Sequence, residues 1–130
     1  MTGRRAERLA EQIREEVSLI IAGEVEDPRV GVVTVTDVRL TPDLHYAKIY
    51  VSIIGTEAEA QASLAALKHA AGFIRIQLGA VLRMKRTPEL HFVRDEVTET
   101  AARIEAILSE EVAKAQAREE PESAATDESQ

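Results

Sequence analysis

A cluster of basic side chains between residues 68 and 94 contains the residue types most able to do chemistry. Only one acid, Glu89, lies in this stretch, although the whole chain carries a net charge of −7. The bases are Lys68, Arg75, Arg83, Lys85, Arg86 and Arg94. Guanidinium groups suit bidentate contacts with phosphate oxygens, and a local cationic field attracts polyanions whatever the net charge. The cluster indicates a nucleic-acid partner, with a helix face that is merely solvated as the alternative.

Residue types used in catalysis and metal binding are present, but not in useful arrangements. The histidines, His45, His69 and His91, are scattered over different predicted elements without metal-ligand spacing. No serine has a recognisable base and orienting residue, and no glycine-rich phosphate loop occurs. We therefore expect a protein that is not an enzyme, holds no metal or cofactor and acts on no small-molecule substrate.

Length and composition favour a cytoplasmic protein without a membrane partner. The chain has 130 residues and no cysteine, which fits one domain in a reducing compartment. No stretch approaches the roughly 18 apolar residues that a membrane-spanning helix needs. The N-terminus is charged and does not have the apolar core of a signal peptide.

Periodic and alternating apolar residues predict an α+β fold. The pattern predicts helices over 4–22, 57–70, 73–86 and 98–117, and strands over 32–40, 47–54 and 87–93. Helices packed on one face of a small sheet would bury the alternating apolar positions most simply. From residue 118 onward Glu, Ser, Ala and Asp dominate, and we expect a disordered acidic tail.

The helix predicted over 73–86 has two distinct faces. Ile74, Leu78 and Val81 fall on one side and are expected in the core. Arg75, Gly79, Arg83 and Arg86 fall on the opposite side, where Gly79 leaves a flat spot for a close backbone approach. Just before this helix, the small residues Ala70, Ala71 and Gly72 would let two helical segments meet at a tight angle without a loop.

Basic residues near the N-terminus could extend the cationic surface. Arg4, Arg5 and Arg8 project from the outer faces of the first helix. The alternative is a solvated face partly neutralised by Glu11 and Glu15 at helical spacing.

The segment Asp27-Pro28-Arg29 also combines charge with a turn signal. We favour a structured turn, in which Asp27 accepts backbone N–H groups and Arg29 pairs with it or points outward.

The acidic tail has three open interpretations: a solubiliser, a partner-binding segment, or a mobile competitor of RNA for the basic surface.

Several motifs in fixed order make the chain similar to a known family. They are "EDPRVGVVTVTDVRLTPDL", "AKIYVSI", "AAGFIRIQLG" and "LRMKRTPELHF", preceded by an Arg-rich helix and followed by Asp95. Together they span about residues 4–110, and the chain resembles the ribosome-binding factor A family of bacterial assembly factors. The resemblance implies a type II KH-like domain over 1–97, with a helix–strand–strand–helix–kink–helix–strand order and a three-stranded mixed sheet. The C-terminal helix, 98–117, and the tail, 118–130, are appended to it.

The resemblance also implies a function and its residues. The protein would bind the immature 30S subunit through 16S rRNA and support late maturation and processing of the rRNA 5′ region, with a role in cold adaptation. The family's Ala-x-Gly kink maps onto Ala70, Ala71 and Gly72. The RNA-binding residues would be Arg4, Arg5, Arg8, Lys68, Arg75, Arg83, Lys85 and Arg86, in a protein that is a monomer when free. A general KH-type RNA-binding module or a protein–protein adaptor without ribosome specificity is the alternative.

Overall fold

The computed structural model describes the backbone of residues 3–128 and the side chains of residues 4–117. The elements, in chain order, are α1 (Gly3–Gly23), β1 (Val32–Leu40), β2 (Tyr46–Ile54), α2 (Glu57–Leu82), β3 (Glu89–Arg94) and α3 (Glu96–Glu128). The predicted α+β class is confirmed. No helix within residues 3–128 is long and apolar enough to cross a membrane.

The strands form one mixed sheet in the order β1-β2-β3. β1 and β2 pair antiparallel through the short turn 41–45, while β2 and β3 pair parallel. A parallel pair needs a long crossover, which α2 provides. The first residues of β2 and β3 therefore lie at the same end of the sheet as the last residue of β1.

The hydrophobic core lies between the sheet and the helices α1 and α2. α1 lies against β1, and α2 lies mainly against β3. The buried side chains come from α1 (Ile13, Val17, Ile20, Ile21), from α2 (Ala60, Leu67, Ile74, Leu78) and from the strands (Val35, Val38, Ala47, Ile49, Val51, Ile53, Leu90, Phe92). They alternate along β2 and β3, and a β-bulge after Val35 brings Val38 to the same face of β1. Side chains of a strand point alternately to the two faces of a sheet, and the buried strand residues all lie on one face. Both helices therefore cover that same face.

The two helices predicted over 57–70 and 73–86 are one uninterrupted helix, α2. Its N-terminus carries a capping box, in which Thr56 and Glu59 satisfy each other's backbone N–H groups. The helix is continuous through Gly72, so the separation into two helices is wrong, whereas a kink at Gly72 stays a prediction. A lone glycine costs a helix only about 1 kcal/mol, which the burial of Leu67 and Ile74 on either side readily offsets.

The end of α2 also differs from the sequence prediction. The helix ends at Leu82, because Arg83 adopts a left-handed conformation with φ of 52°. Ile74 and Leu78 are fully buried as predicted, but the prediction for Val81 is wrong, since it is 52% exposed. Leu82, the next residue, packs against the core instead.

The chain divides into two compact units after Glu96. In the second unit, the predicted helix 98–117 lies within α3. The apolar residues Ile104, Ile107, Leu108 and Val112 along α3 are each more than half exposed. The backbone of α3 is helical to Glu128, and residues 129 and 130 of the predicted tail lie outside the described residues. Disorder of the tail, residues 118–130, stays a prediction.

Candidate nucleic-acid interface

Most of the predicted RNA-binding residues lie at one end of the first unit. This end, here called the basic end, is where α1 begins, β1 turns into β2, and α2 ends before β3. Its basic side chains are Arg4, Arg5, Arg8, Arg75, Arg83, Lys85 and Arg86, and all of them are exposed.

The loop between α2 and β3, residues 83–88, carries the densest group of cations and begins in a defined conformation. The left-handed conformation of Arg83 turns its N–H group back to the carbonyl of Gly79, and the Met84 N–H donates to the same oxygen at 3.0 Å. Such a cap satisfies helix-terminal carbonyl groups. The loop then leaves the helix with Arg83, Lys85 and Arg86 facing solvent.

The far end of this loop is fastened to α2 by Arg75. Its guanidinium donates two hydrogen bonds to the Thr87 carbonyl, from Nε at 3.1 Å and from Nη2 at 2.8 Å. A Cβ atom on Gly79 would lie 2.4 Å from Thr87 Oγ1. The flat spot expected at Gly79 is therefore occupied by Thr87 and is not available to a partner's backbone. Arg75 contributes to the shape of the loop as well as to its charge.

His45, in the turn between β1 and β2, holds the other side of the loop. Arg86 Nη1 lies 3.1 Å from His45 Nε2, and the Glu89 N–H donates to the His45 carbonyl at 2.8 Å. The turn itself is ordered by Asp43. Hydrogen bonds from the Thr41 hydroxyl and then from the His45 N–H lower the pKa of the Asp43 carboxyl.

The N-terminal arginines reach the same turn from its other side. Arg4, Arg5 and Arg8 line an open depression together with Pro42 and Leu44. The alternative, partial neutralisation by Glu11 and Glu15, is not seen in the described residues, because Glu11 pairs with Arg14 and Glu15 forms no salt bridge with these arginines. The structure thus places the cations of α1 and of the loop on opposite sides of one short turn.

Lys68 lies apart from the other predicted residues. It precedes Arg75 by two helical turns on the same side of α2, about 10 Å along the axis. Lys68 lines a depression beside β3 together with Lys48 and His91. Lys48 was missed by the sequence prediction, although the alternating pattern of β2 placed it on the polar face. Lys48 lies on the sheet face that the helices do not cover, and it meets Lys68 only at the edge of the sheet formed by β3.

None of the predicted RNA-binding cations forms a salt bridge with a carboxylate within the part of the chain whose side chains are described. Arg94, the remaining member of the sequence cluster, differs. Its Nη1 lies 2.7 Å from Glu57 Oε1, and its side chain is only 12% exposed. Arg94 therefore does not add to the exposed cationic surface.

The residues predicted to form a helix kink lie between Lys68 and Arg75 on α2. Ala70 and Ala71 are half-buried against the core, whereas Gly72 is exposed. A Cβ on Gly72 would meet no atom within 4 Å. Nothing in the described fold therefore requires a glycine at this position. Gly72 leaves a bare stretch of helix backbone between Lys68 and Arg75.

Across the described residues there is no cluster of His, Cys, Asp or Glu that could hold a metal ion. The geometry instead offers an array of exposed cations around an ordered loop. Such an array is typical of contacts with phosphate groups.

Comparison with known proteins identifies the family. The model of the family described as ribosome-binding factor A matches residues 5–108. The chain belongs to the ribosome-binding factor A family. It is 43% identical over 119 residues to ribosome-binding factor A of Acetivibrio thermocellus, covering 91% of this chain and 97% of that protein. The Halorhodospira halophila protein of the same name is 44% identical over 118 residues, covering 90% and 93% of the two chains.

Solved structures of family members share the fold. The crystal structure of ribosome-binding factor A from Thermus thermophilus is similar with a TM-score of 0.61 and 31% identity, covering 68% of this chain and 93% of that one. A homology model of the Thermus thermophilus factor, fitted into the cryo-EM map of a 30S–RbfA complex, has a TM-score of 0.55 and 32% identity. It covers 65% of this chain and 88% of that one.

Proposed function

We propose that the protein binds the small ribosomal subunit through phosphate groups of 16S rRNA, using the basic end and Lys68. The observation that carries the proposal is the array of exposed cations without carboxylate partners around the loop 83–88. An exposed arginine that already pairs with an acid must give up that pair to bind phosphate. The arginines of the basic end have no carboxylate pair to lose within the described residues.

Family members support the ribosomal partner. The Thermus thermophilus factor was fitted into the map of a 30S complex, and its fold matches this chain. The protein is proposed to act in the same way on the immature subunit. It would support late maturation and processing of the 5′ region of 16S rRNA without catalysing a reaction itself, and as a monomer when free.

The physical mechanism is the recognition of RNA shape by a preformed loop. Phosphate contacts position a protein but carry little sequence information. Specificity would therefore come from the way in which folded rRNA matches the spacing between the α1 arginines and the loop. Arg75 and His45 fix that spacing in advance, so that little conformational entropy is lost on binding.

Gly72 would serve this contact and not the fold. Its exposed backbone between Lys68 and Arg75 lets an RNA strand approach α2 closely. Within the motif Ala70-Ala71-Gly72, the exposed Gly72 would provide the point of close approach, and the alanines carry only methyl groups. This assignment gives a reason for a glycine at a position of α2 where a Cβ would meet no atom within 4 Å.

Binding to purified 30S subunits in a salt series tests the proposal. If six or more phosphates are neutralised, affinity should fall by roughly 10³ or more between 50 and 200 mM salt. Competition with an unrelated RNA duplex at fixed salt separates ribosome specificity from general RNA binding. Equal competition by the duplex and by 16S rRNA would favour a general RNA-binding module and contradict the proposal.

A protein–protein adaptor is the second candidate, and one observation favours it. Phe73 and Ile76 on the outer side of α2 are 44% and 71% exposed, which gives this helix an apolar patch. An apolar contact would be nearly independent of salt. Affinity for subunits that is unchanged across the salt series, and lost on the substitution Ile76→Asp, would identify the adaptor.

A further inference from the structure

The sheet face that α1 and α2 do not cover carries both tyrosines of the chain. Tyr46 and Tyr50 lie on β2 on either side of Lys48, and the residues between them, Ala47 and Ile49, are buried on the opposite face. The sequence contains two tyrosines and no tryptophan. The described fold therefore places both phenol rings on one surface, outside the core.

The neighbouring strands add nitrogen-bearing side chains to this surface. The strand register aligns Arg39, Lys48 and His91 in one row across the sheet. The His91 ring lies 5.8 Å from the Tyr46 ring, tilted by 48°, and the Arg39 guanidinium lies 5.5 Å above the Tyr50 ring. These five side chains are here called the tyrosine face, and they surround a shallow depression.

The tyrosine face is not explained by the stability of the fold. Tyr46 is 47% exposed. Neither tyrosine hydroxyl has a hydrogen-bond partner among the residues whose side chains are described. Buried tyrosines usually satisfy the hydroxyl, whereas binding surfaces use the ring as a rigid contact with a polar edge.

Lys48 is the charged group of this face that is available to a phosphate. The other charges are paired with one another, since Asp37 pairs with Arg39 at 3.1 Å and Glu89 pairs with His91 at 3.1 Å. Lys48 forms no salt bridge with a carboxylate in the described part of the chain. Lys48 also shares a depression at the β3 edge of the sheet with Lys68, which is one of the cations proposed above to contact rRNA.

We propose that the tyrosine face binds two unpaired nucleotides of RNA. One base stacks on the Tyr46 ring with the tilted His91 ring at its edge, and the other stacks on the Arg39 guanidinium above Tyr50, while Lys48 contacts the phosphate between them. Unpaired RNA bases commonly stack on aromatic rings and arginine planes in this way, and two-ring platforms on open sheets are suited to it. The inference rests on the proposed function, because it adds a second contact to the same RNA partner.

Nuclear magnetic resonance on the full chain with labelled tyrosine rings tests the proposal directly. The two tyrosines give two sets of ring signals, which can be followed during titration with an unstructured oligouridylate and with a blunt RNA duplex. We expect the oligouridylate to shift both tyrosines and the duplex to shift mainly backbone signals of the loop 83–88. Tyrosine signals that stay unchanged while loop signals move would overturn this inference and leave the proposed function standing.

A pair of matched variants measures the contribution of stacking. Tyr46→Leu with Tyr50→Leu removes both rings, whereas Tyr46→Phe with Tyr50→Phe keeps them. The Leu pair should bind the oligouridylate at least about fivefold more weakly than the Phe pair, because each stacked base is worth that much or more. Equal affinities would overturn the proposal. If the Leu pair does not fold, the titration of the wild-type protein decides.

Two further outcomes separate this site from other occupants. Tyrosine signals that change with protein concentration in the absence of RNA would indicate a second copy of the chain on this face and would overturn the proposal. Reversal of charge at Arg83 and Arg86 should abolish the duplex-induced shifts while the oligouridylate still shifts the tyrosines. Loss of both responses in that variant would mean that the tyrosine face does not bind RNA by itself, which also contradicts the proposal.

Discussion

The arginines of the basic end and the arginines elsewhere on the surface differ in their partners. Away from the basic end, Arg14 pairs with Glu11, Arg29 with Asp27, Arg39 with Asp37 and Arg94 with Glu57. At the basic end, Arg75 and Arg86 instead contact a backbone carbonyl and a histidine, and the remaining cations have no carboxylate partner in the described residues. Apart from Arg94, whose side chain is only 12% exposed, the arginines of both groups reach the surface, but only the group away from the basic end is paired with carboxylates in the described part of the chain.

This difference shows why the net charge of the chain is a poor guide to its partner. A surface arginine paired with an acid presents little field to a distant polyanion, whereas an unpaired one presents its full charge within about a Debye length. In the described residues, carboxylates pair with arginines away from the basic end, Arg39 among them, and leave the cations of the basic end without such a partner. The two acids nearest the loop, Asp43 and Glu89, are turned toward Thr41 and His91.

The largest loss of binding to 30S subunits is expected from charge reversal in the loop 83–88. Arg83→Glu with Arg86→Glu is expected to weaken binding to 30S subunits about a hundredfold or more, since each charged hydrogen bond to phosphate contributes about 1.5–3 kcal/mol. Co-sedimentation with subunits at fixed salt measures the effect. The matched control is Arg14→Glu with Arg29→Glu, which makes the same change in net charge on paired arginines. Equal losses in both variants would show that only overall charge matters.

A variant that displaces the loop 83–88 without changing its charge tests whether the position of the cations matters for RNA binding. Gly79→Ala places a Cβ 2.4 Å from Thr87 Oγ1, so the Thr87 side chain must rotate or the loop 83–88 must shift away from α2. We expect binding to fall about tenfold, because the cations lose their fixed spacing. Calorimetric titration with a 16S rRNA fragment and urea unfolding measure the two consequences.

The second half of this test is the double variant Gly79→Ala with Thr87→Ala. Removal of Thr87 Oγ1 leaves an ordinary contact with Cβ at 3.6 Å. The double variant should therefore be more stable than Thr87→Ala alone by about 1 kcal/mol, the helix preference of alanine over glycine. A loss of stability in that comparison would contradict the packing described for Gly79.

Substitution of Gly72 by alanine should stabilise the fold, unlike the same substitution at Gly79, which creates a clash with Thr87. Gly72→Ala meets no atom, so the free energy of unfolding should rise by about 1 kcal/mol in urea denaturation. Binding to 30S subunits should nevertheless weaken a few-fold, about 1 kcal/mol, because the added methyl group obstructs a close RNA approach. Undiminished binding by a stabilised variant would remove Gly72 from the proposed interface.

The smallest effect is expected at the paired group of Asp27 and Arg29. Hydrogen bonds from the side chain and then the backbone N–H of Arg29 lower the pKa of Asp27 from 3.8 to about 2. Because the folded-state pKa is lowered, the stabilisation is present above pH 3.8 and is lost as the pH falls toward about 2. Asp27→Asn should be less stable than wild type at neutral pH, and the difference should vanish in acid. Urea unfolding over a pH series checks this, and a difference independent of pH would contradict it.

Much of the fold could be predicted because it depends on local patterns. Alternation of Ala47, Ile49, Val51 and Ile53 defined β2, and helical spacing defined the buried side of α1. The Asp27–Arg29 turn was also predicted, since both residues lie within one short segment. The exposed position of the predicted cations followed from the opposite faces of the same elements.

The parts that could not be predicted depend on contacts between distant segments. The pair of Arg94 and Glu57, the fastening of Thr87 by Arg75, and the occupation of the Gly79 surface all require the folded chain. The missing boundary at Gly72 has a related cause. Helix propensity alone did not show that α2 would continue past Gly72, because the stabilising burial of Leu67 and Ile74 appears only in the folded chain.

The most direct test of the central claim uses the absence of cysteine from the chain. A cleavage reagent can be tethered at Ala80→Cys, in the last turn of α2 beside the loop, or at Ala58→Cys, in its first turn about 30 Å away. Both positions are exposed, and neither substitution removes a charge. With the protein bound to immature 30S subunits, we predict strong cleavage of 16S rRNA from residue 80 and little from residue 58. Cleavage from residue 58 alone, in subunits that retain the protein, would contradict the account.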